Sequence, residues 1–351
     1  MFTMGIEMIK GYLPKDWEGK CRELKALQRS RSIKTAEDML TLVLLYMTQG
    51  ESLQITSALM KLSGISVNKN AVHERLKSSW GWLEYMAKQV CQENGFLSEK
   101  PEWLNGKKVC FVDGSDLSVS GSKGTDYRLH YMFDLFGFCC RHLELTESKQ
   151  GERMGIFEVS EGDIVIGDRN FGNKKAMEYI KDAGAEFILR LKSDCFNIYD
   201  RQGEKVEVLD LGAGLGEWES MSQEVYYRED GKLNPVRVCV MKKGKEETEK
   251  SGHKQTRRAV KSQRVLSQES IAANEFIVVA TNLPYAAEEI FELYRARWQI
   301  ELVFKRLKSL FDLGNVPSKN PDSVKAWFYG KLLLAGICEA SIKRSHFPPN
   351  G

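Results

Sequence analysis

The sequence of 351 residues has no apolar run long enough to cross a membrane. A transmembrane helix needs ~20 consecutive apolar residues, and the best runs here, Met39–Met47 and Leu332–Cys338, are far shorter. Near the start of the chain, Glu7, Lys10 and Lys15 interrupt any apolar segment of a signal peptide. The sequence therefore predicts a cytoplasmic protein that does not interact with membranes.

Closely spaced cysteine pairs and a large net charge are also absent. None of the eight cysteines forms a Cys-x-x-Cys pair, so neither a thiolate zinc site nor a disulfide framework is indicated. Lys and Arg number 51 against 48 Asp and Glu, and the net charge of +3 is too small to indicate nucleic-acid binding by itself. Such a function would have to come from local clusters of charge.

What is present is the composition of a globular protein, with 42% hydrophobic and 28% charged residues. Residues 1–100 show helical periodicity, and Ser52–Leu62 followed by Asn68–Trp80 has the spacing of a helix-turn-helix. Two interpretations fit this spacing. The second helix could present Arg75 and Lys77 to DNA, or the segment could be an ordinary small helical bundle.

After Trp103 the pattern changes to short apolar strands that later alternate with helices, which predicts an α/β fold with a mixed sheet. Residues 196–274 form a polar insertion with short strands. Within the insertion, Lys242–Arg264 has nine basic and three acidic residues, a local charge of +6. This run could grip phosphates, or it could be a solvated loop.

Two of the predicted strands end in an aspartate. Val112 is followed by Asp113, and the strand Ile164–Ile166 is followed by Gly167 and Asp168. Carboxylates at strand ends suit hard cations such as Mg²⁺, and two ions could stabilise both oxygens of a phosphoryl displacement. The alternative is that each aspartate caps the turn that follows it.

Near the carboxyl end, Ala286–Phe311 is predicted to be one long helix that carries Tyr294, Arg297, Glu301 and Lys308. At ~100° per residue these four side chains share one face of a continuous helix. Arg297 and Glu301 could form an ordinary salt-bridge ladder, since they are four residues apart. The surrounding polar face is mostly basic, however, and favours an anion.

The same residues form the pattern Tyr-x-x-Arg-x-x-x-Glu-x-x-x-x-x-x-Lys, unbroken from Tyr294 to Lys308. In this pattern the chain resembles the bacterial DDE transposases of the insertion-sequence-four group. The segments around Asp113 and Asp168 are similar to those that carry the first two catalytic aspartates of the group. The resemblance covers Lys107–Lys331. It implies a ribonuclease-H-like fold with a β-rich subdomain inserted between Asp168 and Glu301.

The resemblance also implies roles for single residues. Asp113, Asp168 and Glu301 would bind two Mg²⁺ or Mn²⁺ ions and catalyse the reaction. Contacts to phosphates and bases at the element end would come from Tyr294, Arg297 and Lys308. Trp298 could stack on a displaced base or be a core residue. The basic run gains a DNA-binding role through Arg257, Arg258 and Lys261.

The implied layout has five parts. They are a helical DNA-binding domain (1–100), the first part of the catalytic core (101–195), the inserted subdomain with its basic loop (196–274), the second part of the core (275–317) and a carboxyl-terminal helix (318–351). The group usually has a further helical region where this chain stops at Gly351. A shortened end would put the pairing of two transposon ends in doubt.

The implied function is metal-dependent cut-and-paste transposition, with the protein acting as a homodimer on terminal inverted repeats and target DNA at the bacterial nucleoid. One alternative is a truncated or inactive relative that binds DNA ends without transposing. Another is a plain metal-dependent nuclease, which would have no use for the pattern of Tyr294, Arg297 and Lys308.

Overall fold

The computed structural model describes residues 2–48, 52–93, 99–192, 196–263 and 265–346. Arg264, at the end of the basic run, and the terminal segment 347–351 lie outside the described residues. The chain forms two compact units: the first contains Met1–Glu99, Gly114–Gly151 and Glu301–Gly351, and the second contains Lys100–Asp113 and Glu152–Ile300. None of the helices in the described ranges is long and apolar enough to span a membrane.

The α-helices are, in chain order, α1 (Phe2–Lys10), α2 (Trp17–Glu23), α3 (Ala36–Thr48), α4 (Leu53–Leu62), α5 (Lys69–Ser78), α6 (Trp80–Glu93), α7 (Lys174–Asp182), α8 (Val208–Gly212), α9 (Lys245–Lys261), α10 (Gln268–Ala272), α11 (Ala287–Arg295), α12 (Trp298–Leu310) and α13 (Pro321–His346). The strands are β1 (Lys108–Val119), β2 (Tyr127–Asp134), β3 (Cys139–Glu147), β4 (Asp163–Gly167), β5 (Glu186–Arg190), β6 (Ile198–Tyr199), β7 (Lys205–Val206), β8 (Ser220–Glu229), β9 (Lys232–Lys242), β10 (Phe276–Thr281) and β11 (Asn315–Val316).

The first unit begins with the predicted helical region, which is confirmed for its described residues. Helices α4 and α5 start at side-chain caps, because Ser52 Oγ accepts from the Ile55 amide at 3.3 Å and Asn68 Oδ1 accepts from the Ala71 amide at 2.9 Å. In the same unit β2 and β3 pair antiparallel, and the end of β1 pairs parallel with β11.

The second unit contains a mixed sheet in the order β1-β4-β5-β10-β9-β8-β6-β7. Strands β1, β4 and β5 are parallel, and the remaining neighbours are antiparallel. The parallel strands have apolar centres, and the side chains of Phe111, Ile166 and Phe187 are fully buried. The predicted α/β class with a mixed sheet is therefore confirmed.

The prediction of one long helix over Ala286–Phe311 is wrong, because α11 ends at Arg295 and α12 begins at Trp298. The Arg297 amide donates to the Tyr294 carbonyl, and the Ile300 amide donates to the Arg297 carbonyl, both at 3.1 Å. These i→i−3 bonds tighten the chain between the two helices. The rotation that placed Tyr294 and Arg297 on the face of Glu301 assumed a continuous helix, so it does not apply. Glu301 and Lys308 both lie on α12.

The prediction of a basic loop in Lys242–Arg264 is also wrong, because most of this run forms the helix α9. Glu246 and Glu247 lie in its first turn and Arg258 and Lys261 in its last, which matches the helix dipole. Apolar periodicity could not reveal this helix, because Ala259 is the single buried residue on it in the described part of the chain.

Candidate active site

Asp113 lies within β1 just past the part of that strand that pairs with β4, and Asp168 directly follows β4, at the same level of the sheet. Val112 on β1 is in register with Gly167 on β4, so the two aspartates occupy the next position on each strand. The four residues before Asp113 and the whole of β4 are buried, whereas both aspartates are half-buried. The carboxyl ends of parallel strands are where α/β sheets bind ligands, so the structure brings these two predicted site residues to one edge.

The carboxylate of Asp113 faces a guanidinium. Arg297 Nη1 lies 3.5 Å from Asp113 Oδ2, and each side chain is 17% exposed. Partial burial strengthens such a pair relative to one in open water. The sequence had connected Arg297 to Glu301 on one helix face and gave no indication of its ion pair with Asp113.

Asp168 begins a tight turn that explains the glycines around it. Its Oδ1 accepts from the Asn170 amide at 2.8 Å, so the capping role considered from the sequence is present. A Cβ on Gly172 would lie 1.9 Å from the carbonyl oxygen of Arg190, and a Cβ on Gly167 would lie 2.9 Å from Phe171 Cβ. Only glycine allows these close approaches.

Tyr294 and Trp298 line a second feature of the site, a cavity of about 520 Å³. The cavity is also lined by Arg190, Trp218 and Phe291. The Tyr294 hydroxyl is buried and has no hydrogen-bond partner among the described residues, an arrangement that costs roughly 1–3 kcal/mol. Trp298 is 50% exposed, so its interpretation as a core tryptophan is wrong.

Glu301 and Lys308 belong to the first unit, on α12. Glu301 lies exposed in the first turn of that helix. Lys308 Nζ donates to the Asp116 carbonyl at 3.0 Å, and Asp116 also pairs with Arg128 at 2.8 Å. Within the described ranges, no group of three or more His, Cys, Asp or Glu side chains is arranged to hold a metal ion.

The basic residues predicted on the insertion separate into two groups. Arg258 lines a cavity of about 880 Å³ together with Asp168, whereas Arg257 and Lys261 are exposed on α9 outside that lining. Sequence reasoning missed Arg190, which also lines the cavity. The sequence signal for it was a charged residue inside the apolar run Phe187–Leu191, and the register of β4 and β5 places Arg190 level with Asp168.

In the helical region, α5 makes contacts inside its own unit. The Arg75 guanidinium donates to the Arg29 carbonyl, and burial lowers the pKa of Arg75. Lys77 pairs with Glu74 at 3.2 Å. A DNA role for Arg75 and Lys77 stays a prediction.

Comparison with known proteins adds to this geometry. Residues 104–337 match the family described as Transposase DDE domain, and Asp113, Asp168 and Glu301 fall inside the match. The chain is 29% identical over 347 residues to InsL of insertion sequence element IS186A from Escherichia coli strain K12, which covers 96% of this chain and 93% of that relative. The transposase for insertion sequence element IS421 of Escherichia coli is 29% identical over 348 residues with the same coverage. The transposase for element IS231F of Bacillus thuringiensis subsp. israelensis is 21% identical over 382 residues, with 96% and 79% covered.

Proposed function

The chain belongs to the Transposase DDE domain family, and on that premise we propose that it cuts DNA at the ends of an insertion sequence and joins the freed 3′ hydroxyl to target DNA. The observation that carries this proposal is the placement of Asp113 and Asp168 level with each other on adjacent parallel strands. DNA binding and the use of divalent metal ions are properties of the family. The terminal inverted repeats, the target DNA and a homodimeric complex at the bacterial nucleoid belong to the proposal.

Asp113, Asp168 and Glu301 are the proposed metal ligands, for two ions of Mg²⁺ or Mn²⁺. Their carboxylate oxygens are the ligands that such hard cations prefer, and the pattern from Tyr294 to Lys308 supports Glu301 as the third. When bound, divalent cations supply the positive charge that activates the attacking oxygen and neutralises the leaving oxygen in phosphoryl transfer.

The remaining residues position the DNA. Arg297, beside Asp113, holds a phosphate oxygen close to the reacting group, and the buried Tyr294 hydroxyl offers a hydrogen bond to the same strand. Trp298 is exposed enough to stack on a displaced base. Lys308 contributes positive charge on α12, and Arg257, Arg258 and Lys261 contact backbone phosphates from α9. In the helical domain of residues 1–100, Arg75 and Lys77 take part in reading the inverted repeat.

Asp168→Asn tests the assignment, because it keeps the side-chain shape and removes a negative ligand. We expect strand cleavage in the presence of Mg²⁺ to fall below detection while binding to a duplex copied from the DNA flanking the coding region is retained. Asp182→Asn, at an exposed position on α7, is the matched control and should cleave like the wild type.

Three other results would contradict the proposal in different ways. Loss of both binding and cleavage in Asp168→Asn would make Asp168 a structural cap. A wild-type protein that binds the flanking duplex without cleaving it would be an inactive relative. Cleavage without any joining of the 3′ hydroxyl to a second duplex would indicate a nuclease.

A further inference from the structure

A cavity of about 880 Å³ in the second unit is lined by α9, the segment after β4, the end of β5, Tyr294 and Arg297. This volume lies toward the upper end of the range for pockets that hold small molecules. Asp168 is the one acidic residue among its described lining residues, and the basic ones are Arg169, Arg190, Lys192, Lys254, Arg258 and Arg297. Such an excess of positive charge around a concave surface attracts an anion.

Helix α9 turns one particular face toward this cavity. The lining residues on and just after it are Ser251, Lys254, Gln255, Arg258, Ala259 and Ser262, which follow the three-and-four spacing of a single helical face. Lys254 and Arg258 are therefore one turn apart on that face. Neither has an ion-pair partner within the part of the chain that the structure describes.

The helix is fixed in this orientation by contacts on both sides. Lys243, 5% exposed, donates from Nζ to Ser251 Oγ at 2.7 Å and to Asn274 Oδ1 at 3.4 Å. Gln255 Nε2 donates to the Ser270 hydroxyl at 2.9 Å and to its carbonyl at 3.1 Å. The basic face is thus held by packing and hydrogen bonds before any ligand arrives, which lowers the entropy lost on binding.

A second observation points to a ligand in the same cavity. The Tyr294 hydroxyl is buried, has no hydrogen-bond partner among the described residues, and belongs to a side chain that lines the cavity. A phosphate oxygen is an acceptor that would satisfy this hydroxyl.

We propose that Lys254 and Arg258 bind a backbone phosphate of the DNA strand that is held at Asp168, so that α9 forms a phosphate clamp beside this proposed metal ligand. This inference rests on the proposed function, since it takes DNA as the ligand. It assigns separate roles within one basic helix: the face with Lys254 and Arg258 positions the strand, whereas Arg257 and Lys261 lie on other faces.

The double variant Lys254→Ala/Arg258→Ala in the full-length protein tests the clamp. The two side chains neutralise one backbone phosphate, and each neutralised phosphate contributes ~0.9 to the slope of log affinity against log salt, so the slope on the flanking duplex should fall by ~0.9. At saturating protein and DNA, the cleavage rate with Mg²⁺ should fall ~10-fold or more, because the strand is no longer held in place. Lys175→Ala/Lys232→Ala removes the same charge from exposed positions in the same unit that do not line the cavity, and it should change neither quantity.

The two readouts separate the possible failures. If Lys254→Ala/Arg258→Ala has the same salt slope as the control variant, the clamp is overturned, whether or not the wild type cleaves DNA. If the wild type does not cleave DNA but the salt slope of Lys254→Ala/Arg258→Ala is reduced, the proposed function is overturned. Phosphate binding by these two residues is then still supported. Inorganic phosphate at matched ionic strength should compete only weakly with the duplex. Strong competition that is lost in the variant would indicate a site for free phosphate and overturn the DNA assignment. Equal thermal melting of the three proteins shows that none is unfolded.

Discussion

Two basic side chains of the second unit differ in their surroundings: Arg297 faces a carboxylate, whereas Lys243 is buried beside neutral hydrogen-bond acceptors. Arg297 lies beside Asp113 at 3.5 Å, longer than the ~2.7–2.9 Å of a charge-assisted hydrogen bond, so the pair attracts without tight geometry. Lys243 is almost fully buried, and its hydrogen-bond acceptors are the neutral groups of Ser251 and Asn274. Burial, helped by the positive charges of Arg190 and Arg169, lowers the pKa of Lys243 to about 8.

This lowered pKa predicts a pH-dependent stability. Below pH 8 Lys243 is protonated in both the folded and the unfolded chain, and the cost of burying its charge is fully present. Between about pH 8 and the unfolded value of 10.5, the unfolded chain binds more protons, so stability rises with pH. The difference in unfolding free energy between wild type and Lys243→Met should shift by ~3 kcal/mol in favour of the wild type between pH 7 and 10.5.

Urea denaturation at several pH values measures this difference, and groups that titrate alike in both proteins cancel. Lys175→Met, at an exposed position, is the control and should track the wild type across the range. A constant difference for Lys243→Met would mean that water reaches the ammonium group in the folded protein.

At the scale of elements, the sequence was most informative where burial imposes a clear period. The apolar runs before Asp113 and Asp168 were predicted as strands because they are short and bounded by glycine or turn residues, although β1 continues past Asp113 to Val119. The break between α11 and α12 was missed because no Pro or Gly marks it, and apolar spacing continues through it. Helix α9 was missed for the opposite reason, since it has almost no apolar face.

The part of α9 that carries Arg257 and Lys261 leads to a prediction about DNA binding that does not depend on the sequence of the duplex. Arg257 and Lys261 are exposed and lie outside the lining of the cavity, so we expect them to contact backbone phosphates at the protein surface. Arg257→Ala/Lys261→Ala should reduce the salt slope by up to ~1.8, equally for the flanking duplex and a scrambled one. An unchanged slope on both duplexes would mean that Arg257 and Lys261 are solvated and do not contact DNA.

At the scale of the whole molecule, the general architecture and the family could be predicted from the sequence, while the division into units could not. The mixed sheet and the helical region follow from local periodicity. The chain passes between the two compact units at four points, after Glu99, Asp113, Gly151 and Ile300. Two of these points lie inside regular elements, the middle of β1 and α12, where no change in composition marks them.

The proposed homodimer gives a prediction for the intact protein. Joining two element ends requires that both be held together, so the complex with the flanking duplex should contain two 40.0 kDa chains and two duplexes. Light scattering coupled to size-exclusion chromatography measures the mass of the complex. A complex with one chain and one duplex at all concentrations would contradict pairing by this protein.

The close approach of Gly172 to the Arg190 carbonyl also bears on how copies of such a gene decay. Every amino acid other than glycine carries a Cβ, so any missense mutation in this codon pushes an atom to within 1.9 Å of that oxygen. The strand end that presents Arg190 must then move, although no charged residue has been altered. We therefore expect a single base change that replaces Gly172 to lower the cleavage activity of the encoded protein, so that a copy of the gene can lose function while its acidic residues are all still in place.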